Sequence, residues 1–419
     1  MNTIESTHQA VADIQQMPEI HKKLDAVSNS IQKTDQDTRQ KTEHIQYIDV
    51  LRVISMLSVV FLHTAAGVLR TNLASANWHF SNILTSIMST SVPIFFMISG
   101  AMLLSNSKTS SLKITFNKRL PKALVPFVVW SVIAVIYFFL CTYIFKGSFD
   151  YAETTDRIKK LLSTPATIHL WFMYALIPLY LLSPLLKKLV DVLSKDLAIY
   201  MIGLWVVFSS LLPTFQSLVP ARYSTLFTLN VNYNLNFFSG YLGYFIIGYY
   251  LLKLQKKISK RVLAIVIAVD MTIICTGTWY KTIASGQYNE TFKSYSRIFT
   301  LVLSIAVFLL VKELLREKQL GKRMFSIVSY LSAISFGVYL VHNLIIDFMG
   351  RVGVFDASSM PKLVLMFLIA LITSILCITV LTSIKPFSYI FTGVSYSSAC
   401  KTCNIKFLFR KRTNGIKSI

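Results

Sequence analysis

From Tyr47 onward the chain repeats one pattern, an apolar stretch of about 20 residues, the length a helix needs to cross a hydrocarbon core of roughly 30 Å, closed by a cluster of basic residues. Ten such stretches occur, at approximately residues 47–69, 80–104, 123–145, 166–186, 197–215, 233–252, 262–280, 297–312, 325–349 and 362–384. The eighth is the weakest, because only Ile298 to Val311 is without charge, and a thin or tilted span is expected there. Backbone amides in lipid must be satisfied within their own segment. The expected fold is therefore an all-α polytopic membrane helix bundle of about ten transmembrane helices. Composition agrees: 54% of the 419 residues are hydrophobic, only 15% are charged and mean hydropathy is +0.56. That leaves too little polar surface to cover soluble domains.

Forty-two Lys+Arg against 19 Asp+Glu give a formal charge of +23. With average apolar content this excess would suggest nucleic acid; here it points to the membrane surface, and no nucleic-acid partner is expected. Alternate loops divide the basic residues unequally, 25 against 11 in the opposite set. Positive loops stay on the cytoplasmic side, so both termini are expected to be cytoplasmic. Residues 1–46 form a polar cytoplasmic segment with seven acids and five Lys+Arg. Within it Ile20, Leu24, Val27 and Ile31 share one stripe of a helix, either a short amphipathic or self-associating helix or a floppy tail. Residues 47–384 form the membrane domain and 385–419 a basic cytoplasmic tail. No internal repeat is visible, so the inverted-repeat logic of many transporters finds no support.

An ionisable side chain inside a span costs a few kcal/mol or more, so each one that persists needs a partner, a wet cavity or a task. The first span carries three: Asp49, Arg52 and His63. Arg52 and His63 are eleven residues apart and return to within about 20° of each other around the helix, with His63 about 16 Å deeper. Asp49 lies one turn before Arg52, on the same face. Asp49 and Arg52 read either as an interfacial ion pair or as part of a site; His63 reads either as a satisfied core histidine or as a working imidazole. The ninth span collects Ser332, Ser335, Tyr339 and His342 on one face. These are either interhelical hydrogen-bonding groups or the lining of a hydrated path. Ser99 follows Pro93 near the end of the second span, and Lys118, Arg119 and Lys122 come next, with no acid in residues 105–125. Such a cluster suits phosphate groups, although the positive-inside signal alone would also produce it.

Other signals are weaker. Asp270 in the seventh span has no assigned partner. Cys400 and Cys403 form an isolated CxxC without a second pair, which does not make a zinc or redox centre, and no metal site is expected. Five cysteines give no disulfide framework. Asn289-Glu290-Thr291 is a glycosylation sequon in a predicted outer loop. No Walker loop, GxGxxG or GxSxG is present, so ATP-driven transport and the usual serine-hydrolase arrangement lack their signatures.

Ile48-Asp49-Val-Leu-Arg52 with His63, Val92-Pro93 to Ser99-Gly100, and Lys118-Arg119-Leu-Pro-Lys122 with Pro126 recur with His169-Leu-Trp171-Phe-Met-Tyr174 and Ser183-Pro184. The series continues through Phe238 to Tyr250 and ends at Ser335-Phe-Gly337-Val-Tyr339-Leu-Val-His342. In order and spacing this set resembles the integral-membrane acyltransferase type three family, which O-acylates bacterial surface glycans and includes WecH-like O-acetyltransferases. The resemblance implies that His63 is the catalytic histidine, that Arg52 is its companion and that Arg119 belongs to the family's basic motif. Lys122 stands where many members have a second arginine, which keeps charge but not bidentate geometry.

On this resemblance the chain is expected to be an O-acyltransferase of the bacterial cytoplasmic (inner) membrane. It would move an acyl group, acetyl in the first instance, from cytoplasmic acyl-CoA to a hydroxyl of a cell-surface glycan or its lipid-linked precursor. Acetyl-CoA is then a co-substrate, and no permanently bound cofactor is implied. CoA phosphates would dock near Arg52, Arg119 and Lys122. His63 would act either as general base or as acyl carrier, and Ser99 or Tyr339 would be candidate oxyanion donors. Trp171 and Tyr174 would either stack on a sugar ring or sit at the membrane interface. The rival reading is an exporter or transporter of a polysaccharide or glycolipid, in which His63, His342 and Asp270 relay protons or line a passage.

Overall fold

The computed structural model describes residues 46–228, 230 and 240–403, and what it describes is helical and without strands. Nine helices are long and apolar enough to cross a membrane among the described residues. They are α1 (Gln46–Arg70), α2 (Ala76–Leu104), α3 (Leu112–Lys146), α4 (Ile168–Val192), α5 (Lys195–Leu218), α7 (Lys260–Ser285), α8 (Ile298–Glu317), α9 (Lys322–Arg351) and α10 (Met360–Ser383). Between α5 and α7 lies the shorter apolar helix α6 (Leu242–Lys253). Ten apolar helices thus follow the ten predicted stretches. Residues 233–239 of the sixth stretch, Phe238 included, lie outside the described residues, as do the predicted stripe from Ile20 to Ile31 and the chain after Cys403. The weak eighth stretch is a full helix to Glu317, longer than its charge-free core, because Lys312 buries its amine on the carbonyls of Leu251, Leu252 and Leu254 at 2.7 to 3.2 Å. Those are the orphan C-terminal carbonyls of α6, which a cation satisfies well.

Lipid-facing surfaces can be read directly. On α3, Val128, Val132, Ile136, Leu140 and Ile144 are exposed at a spacing of four, one continuous apolar stripe. A stripe of that kind is stable only against hydrocarbon or a partner. This is a multi-pass membrane protein. The most enclosed of the nine long helices is α2, interrupted at Ser89 and Thr90, where Pro93 cannot continue the hydrogen-bond ladder. Its second half packs along α6, and α1 lies centrally: Tyr47 meets Phe308 of α8 and Phe61 meets Phe367 of α10, edge to face at 6.0 and 5.4 Å.

Two further helices, α11 (Lys385–Thr392) and α12 (Tyr396–Thr402), follow the last span. The sequence places them in a tail, yet they fold back onto the bundle. Trp130 of α3 donates to the Phe391 carbonyl at 2.9 Å, and Thr382 donates to that of Cys403 at 3.3 Å. Between them Gly393 has φ +67°, and a Cβ there would lie 2.1 Å from the Lys122 carbonyl oxygen. Only glycine permits both the left-handed backbone and that approach.

In the loop between α7 and α8 the amine of Lys293 is buried, donating to Thr85 Oγ1 at 2.8 Å and the Asn82 carbonyl at 3.2 Å. Burial, against weaker attraction from Cys275 and Glu290, lowers its pKa to about 7. The unfolded chain holds this proton to a pH near 10.5 while the folded one releases it near 7, so the group makes stability rise with pH between those values. The slope is at most about 1.4 kcal/mol per pH unit. Thermal unfolding followed from pH 7 to 10 is expected to show this rise in the native protein and a flatter profile in Lys293→Met. Parallel profiles would contradict it.

Candidate active site

The polar faces of α1 and α9 meet each other. Near the start of α1, Arg52 Nη1 donates to Asp49 Oδ1 at 3.2 Å and to Ser332 Oγ at 3.0 Å, and Ser332 in turn donates to Asp49 Oδ1 at 2.6 Å. The carboxylate and hydroxyl fix one edge of the guanidinium, and its other donors remain for a ligand. Eleven residues along α1, the ring of His63 lies 5.2 Å from that of His342, ten residues along α9. The two helices therefore run side by side with their stripes in register: a charged layer at one end, an imidazole layer about 16 Å further in.

A cavity of about 690 Å³ opens on the charged layer, within the roughly 300–1,000 Å³ of ordinary ligand sites. Arg52, Arg119, Lys122, Ser99, Tyr180 and Ser332 give it polar groups, and Phe95, Phe172, Leu176 and Phe336 give it apolar wall. Its side toward the end of the chain is Thr392 to Ser395 with Ser398 and Thr402, so the predicted tail supplies part of the site. Arg119 ends a π-helical stretch, Thr115–Arg119, at the start of α3, and its Nη1 donates to Thr109 Oγ1. The extra residue in that turn re-aims the side chains after it, a use of π-bulges common at functional sites.

Along α9 the cavity climbs past Ser332 and Ser335 to Tyr339. There it stops. The Tyr339 hydroxyl donates to the His169 carbonyl at 2.6 Å, and its ring stands 5.5 Å from both His169 and Phe172. Behind this partition lie three imidazoles, His63, His169 and His342, with ring centres 4.9 to 6.1 Å apart. His169 and His342 are buried and His63 is half-buried. His63 does not line the cavity. Among the described residues no group of His, Cys, Asp or Glu is arranged to hold a metal ion.

The structure thus brings Arg52, Ser99, Arg119, Lys122 and Tyr339 to one cavity, holds Asp49 behind it on Arg52 and Ser332, and sets His63 and His342 together one aromatic layer beyond it. Trp171 and Tyr174 are elsewhere. The Trp171 ring is engaged by Tyr241 and Tyr295 at 5.3 and 5.6 Å. The Tyr174 hydroxyl donates to the carbonyls of Leu161 and, at 3.3 Å, Thr164, tying down the loop before α4. Neither lines the cavity, nor does Asp270 of α7. Sequence reasoning gave no role to His169 or Tyr180. His169 starts α4 in a single 3-10 turn, where no periodicity marks it; its signals are the rarity of histidine in apolar segments and its place in the His169-Leu-Trp171 motif, to which no role is attached.

A family model for an acyltransferase domain matches residues 45–383. The chain belongs to the acyltransferase 3 family. It is a membrane acyltransferase, and the match runs from the start of α1 to the end of α10, leaving α11 and α12 beyond it. No curated protein and no solved structure matches the chain.

Proposed function

We propose that this membrane acyltransferase moves an acetyl group from cytoplasmic acetyl-CoA to a hydroxyl of a cell-surface glycan or its lipid-linked precursor in the bacterial inner membrane. The observation that carries the reading is the cation-lined cavity of Arg52, Arg119 and Lys122, whose floor climbs α9 to Tyr339, one aromatic layer short of the imidazoles. CoA is a polyanion that cannot enter hydrocarbon, and a basic mouth with one guanidinium held on two anchors suits its phosphates. The thioester end then lies against Tyr339. Neutral His63 takes the proton of the acceptor hydroxyl as the oxygen attacks the thioester carbonyl. A C–O bond forms, the C–S bond breaks, and the proton passes to the leaving thiolate. His63 lies beyond the cavity rather than in its wall, so in this reading the acceptor approaches from the side away from CoA, which suits a glycan on the far side of the membrane. Tyr339 must turn aside for donor and acceptor to meet, and its hydroxyl or that of Ser99 is then available to the oxyanion.

The test is acetyl transfer from radiolabelled acetyl-CoA to a glycan extract by the purified protein in nanodiscs. Label appearing as alkali-labile ester on glycan supports the reading. Movement of glycan across vesicles with no consumption of CoA ester would replace it with transport. Lys122 gives a second check. It is exposed at the mouth and bound to no side chain among the described residues. Lys122→Ala is expected to raise KM for acetyl-CoA about 3- to 10-fold with kcat little changed, and to weaken the dependence of KM on salt. Lys122→Arg should keep or improve the affinity, and an unchanged KM in both variants would remove Lys122 from the donor site.

A further inference from the structure

His342 has one ring nitrogen that the fold leaves without a donor, and its surroundings say which group is meant to supply one. We propose that His342 is a positioning residue for His63, its Nε2 accepting a hydrogen bond from the His63 ring N–H. This bond holds the other His63 nitrogen, with its lone pair, toward the acceptor hydroxyl, and it stabilises the imidazolium that forms when that proton is taken. The inference rests on the reading of His63 as general base.

The protonation pattern follows from partners that can only accept. His342 Nδ1 lies 2.7 Å from the Tyr339 carbonyl and 3.2 Å from that of Val338, so it carries the hydrogen and donates. In a neutral ring Nε2 then carries the lone pair. That atom is buried and finds no donor among the described residues, a condition rare in folded proteins and common where a group is kept for use. Three aromatic rings surround it with polar hydrogens to offer: His63, His169 and Tyr339, at 5.2, 4.9 and 6.1 Å between centres. Two are committed. His169 Nε2 donates to the Leu340 carbonyl at 3.2 Å, which makes its Nδ1 the acceptor for the Thr167 hydroxyl at 2.9 Å. The Tyr339 hydroxyl donates to the His169 carbonyl.

His63 alone has no side-chain hydrogen bond among the described residues, and its ring therefore has an N–H to give. Two imidazole nitrogens facing each other at about 2.9 Å put the ring centres on the order of 5 Å apart, which is the observed spacing. A turn of the His63 side chain completes the bond. The arrangement has the logic of an acid–base site in which a third group orients the base, with a neutral imidazole in place of a carboxylate. His169, satisfied on both nitrogens, fixes the layer from α4.

The experiment is steady-state acetyl transfer by His342→Leu and His342→Gln, alone and combined with His63→Ala, with thermal unfolding of each to show that it folds. Leucine fills the space but cannot accept, and glutamine offers a carbonyl oxygen at similar reach. His342→Leu is expected to lower kcat by about 10- to 100-fold with KM for acetyl-CoA within about twofold. His342→Gln should recover part of the loss. In the His63→Ala background His342→Leu should cost nothing further, since a positioning residue acts only through its partner. The inference is overturned if wild type transfers acetyl and requires His63 while folded His342→Leu keeps kcat, or if His342→Leu costs the same with and without His63. If His342→Leu does not fold, a folded His342→Gln with full loss of kcat overturns it equally. Absence of acyl-CoA consumption by wild type would sink the functional reading itself, and this inference with it.

Discussion

Alanine in place of His63 is expected to lower kcat for acetyl transfer by about 10²- to 10⁴-fold, the usual contribution of a positioned general base. The reason is geometric. No other imidazole at the layer is placed to take over, because His169 is satisfied on both nitrogens and the free Nε2 lone pair of His342 is buried behind the position of His63. The cavity proposed for the donor lies one aromatic layer away and does not include His63. Affinity for acetyl-CoA should therefore survive, giving a fall in kcat with KM nearly unchanged. Arg52→Ala should give the other signature. It removes a cavity cation and leaves Asp49 with Ser332 as its sole side-chain partner among the described residues, so KM for acetyl-CoA is expected to rise by at least about tenfold. Kinetics of both variants on one glycan acceptor checks the pair. If His63→Ala raised only KM, or retained full kcat, the imidazole layer would not be the site of chemistry. Should His63 instead carry the acyl group, mixing enzyme with acetyl-CoA in the absence of acceptor and quenching in acid would leave an acetyl mass on the peptide containing residue 63.

Much of this arrangement could be read from one strand of text because two periodicities do most of the work. Spans are set by a length that hydrocarbon dictates, and faces by 3.6 residues per turn, so Asp49, Arg52 and His63 on one helix and Ser332, Ser335, Tyr339 and His342 on another were each legible as a stripe. Periodicity within a helix does not say which helix it faces. That α1 and α9 lie side by side, with Arg52 against Ser332 and His63 against His342, depends on packing across some 280 residues of chain. The same limit hid His169, a single turn at a helix start, and Tyr180, one aromatic residue in an apolar run. The return of α11 and α12 was hidden for another reason. They are short and lie beyond the last span, and besides the packing of Phe391 and Ala399 their hold on the bundle comes from backbone carbonyls and from the space Gly393 leaves, neither of which is written in side-chain polarity. Trp171 and Tyr174 show a related limit: aromatic residues at a span end suggest a sugar or an interface, and periodicity does not say which neighbours they meet, here Tyr241 and Tyr295 for Trp171 and loop carbonyls for Tyr174.

Valine at Gly100 is expected to prevent stable folding, because α2 and α6 touch backbone to backbone there. A Cβ on Gly100 would lie 1.7 Å from the Phe245 carbonyl oxygen, and one on Gly248 would lie 2.0 Å from that of Met97. The contact is reciprocal, each glycine admitting the other helix, as small residues do where membrane helices pack closely. A clash with a side chain is relieved by rotation; a clash with a carbonyl inside a helix is not, so the two helices would have to separate over their whole shared length. We expect a loss of at least about 3 kcal/mol, above the usual range for overpacking, since no side chain can yield. Gly67 of α1 provides the control: nothing lies within 4 Å of a Cβ there, and Gly67→Ala should be neutral or stabilise by up to about 1 kcal/mol through helix propensity. Detergent-extracted yield and thermal unfolding of Gly100→Val, Gly248→Val and Gly67→Ala make the comparison. Ser99 sits beside Gly100 on the cavity wall, so the milder Gly100→Ala, where it folds, should also raise KM for acetyl-CoA. Wild-type stability in Gly100→Val would mean that α2 and α6 do not meet as described, and the wall they hold in place would have to be drawn differently.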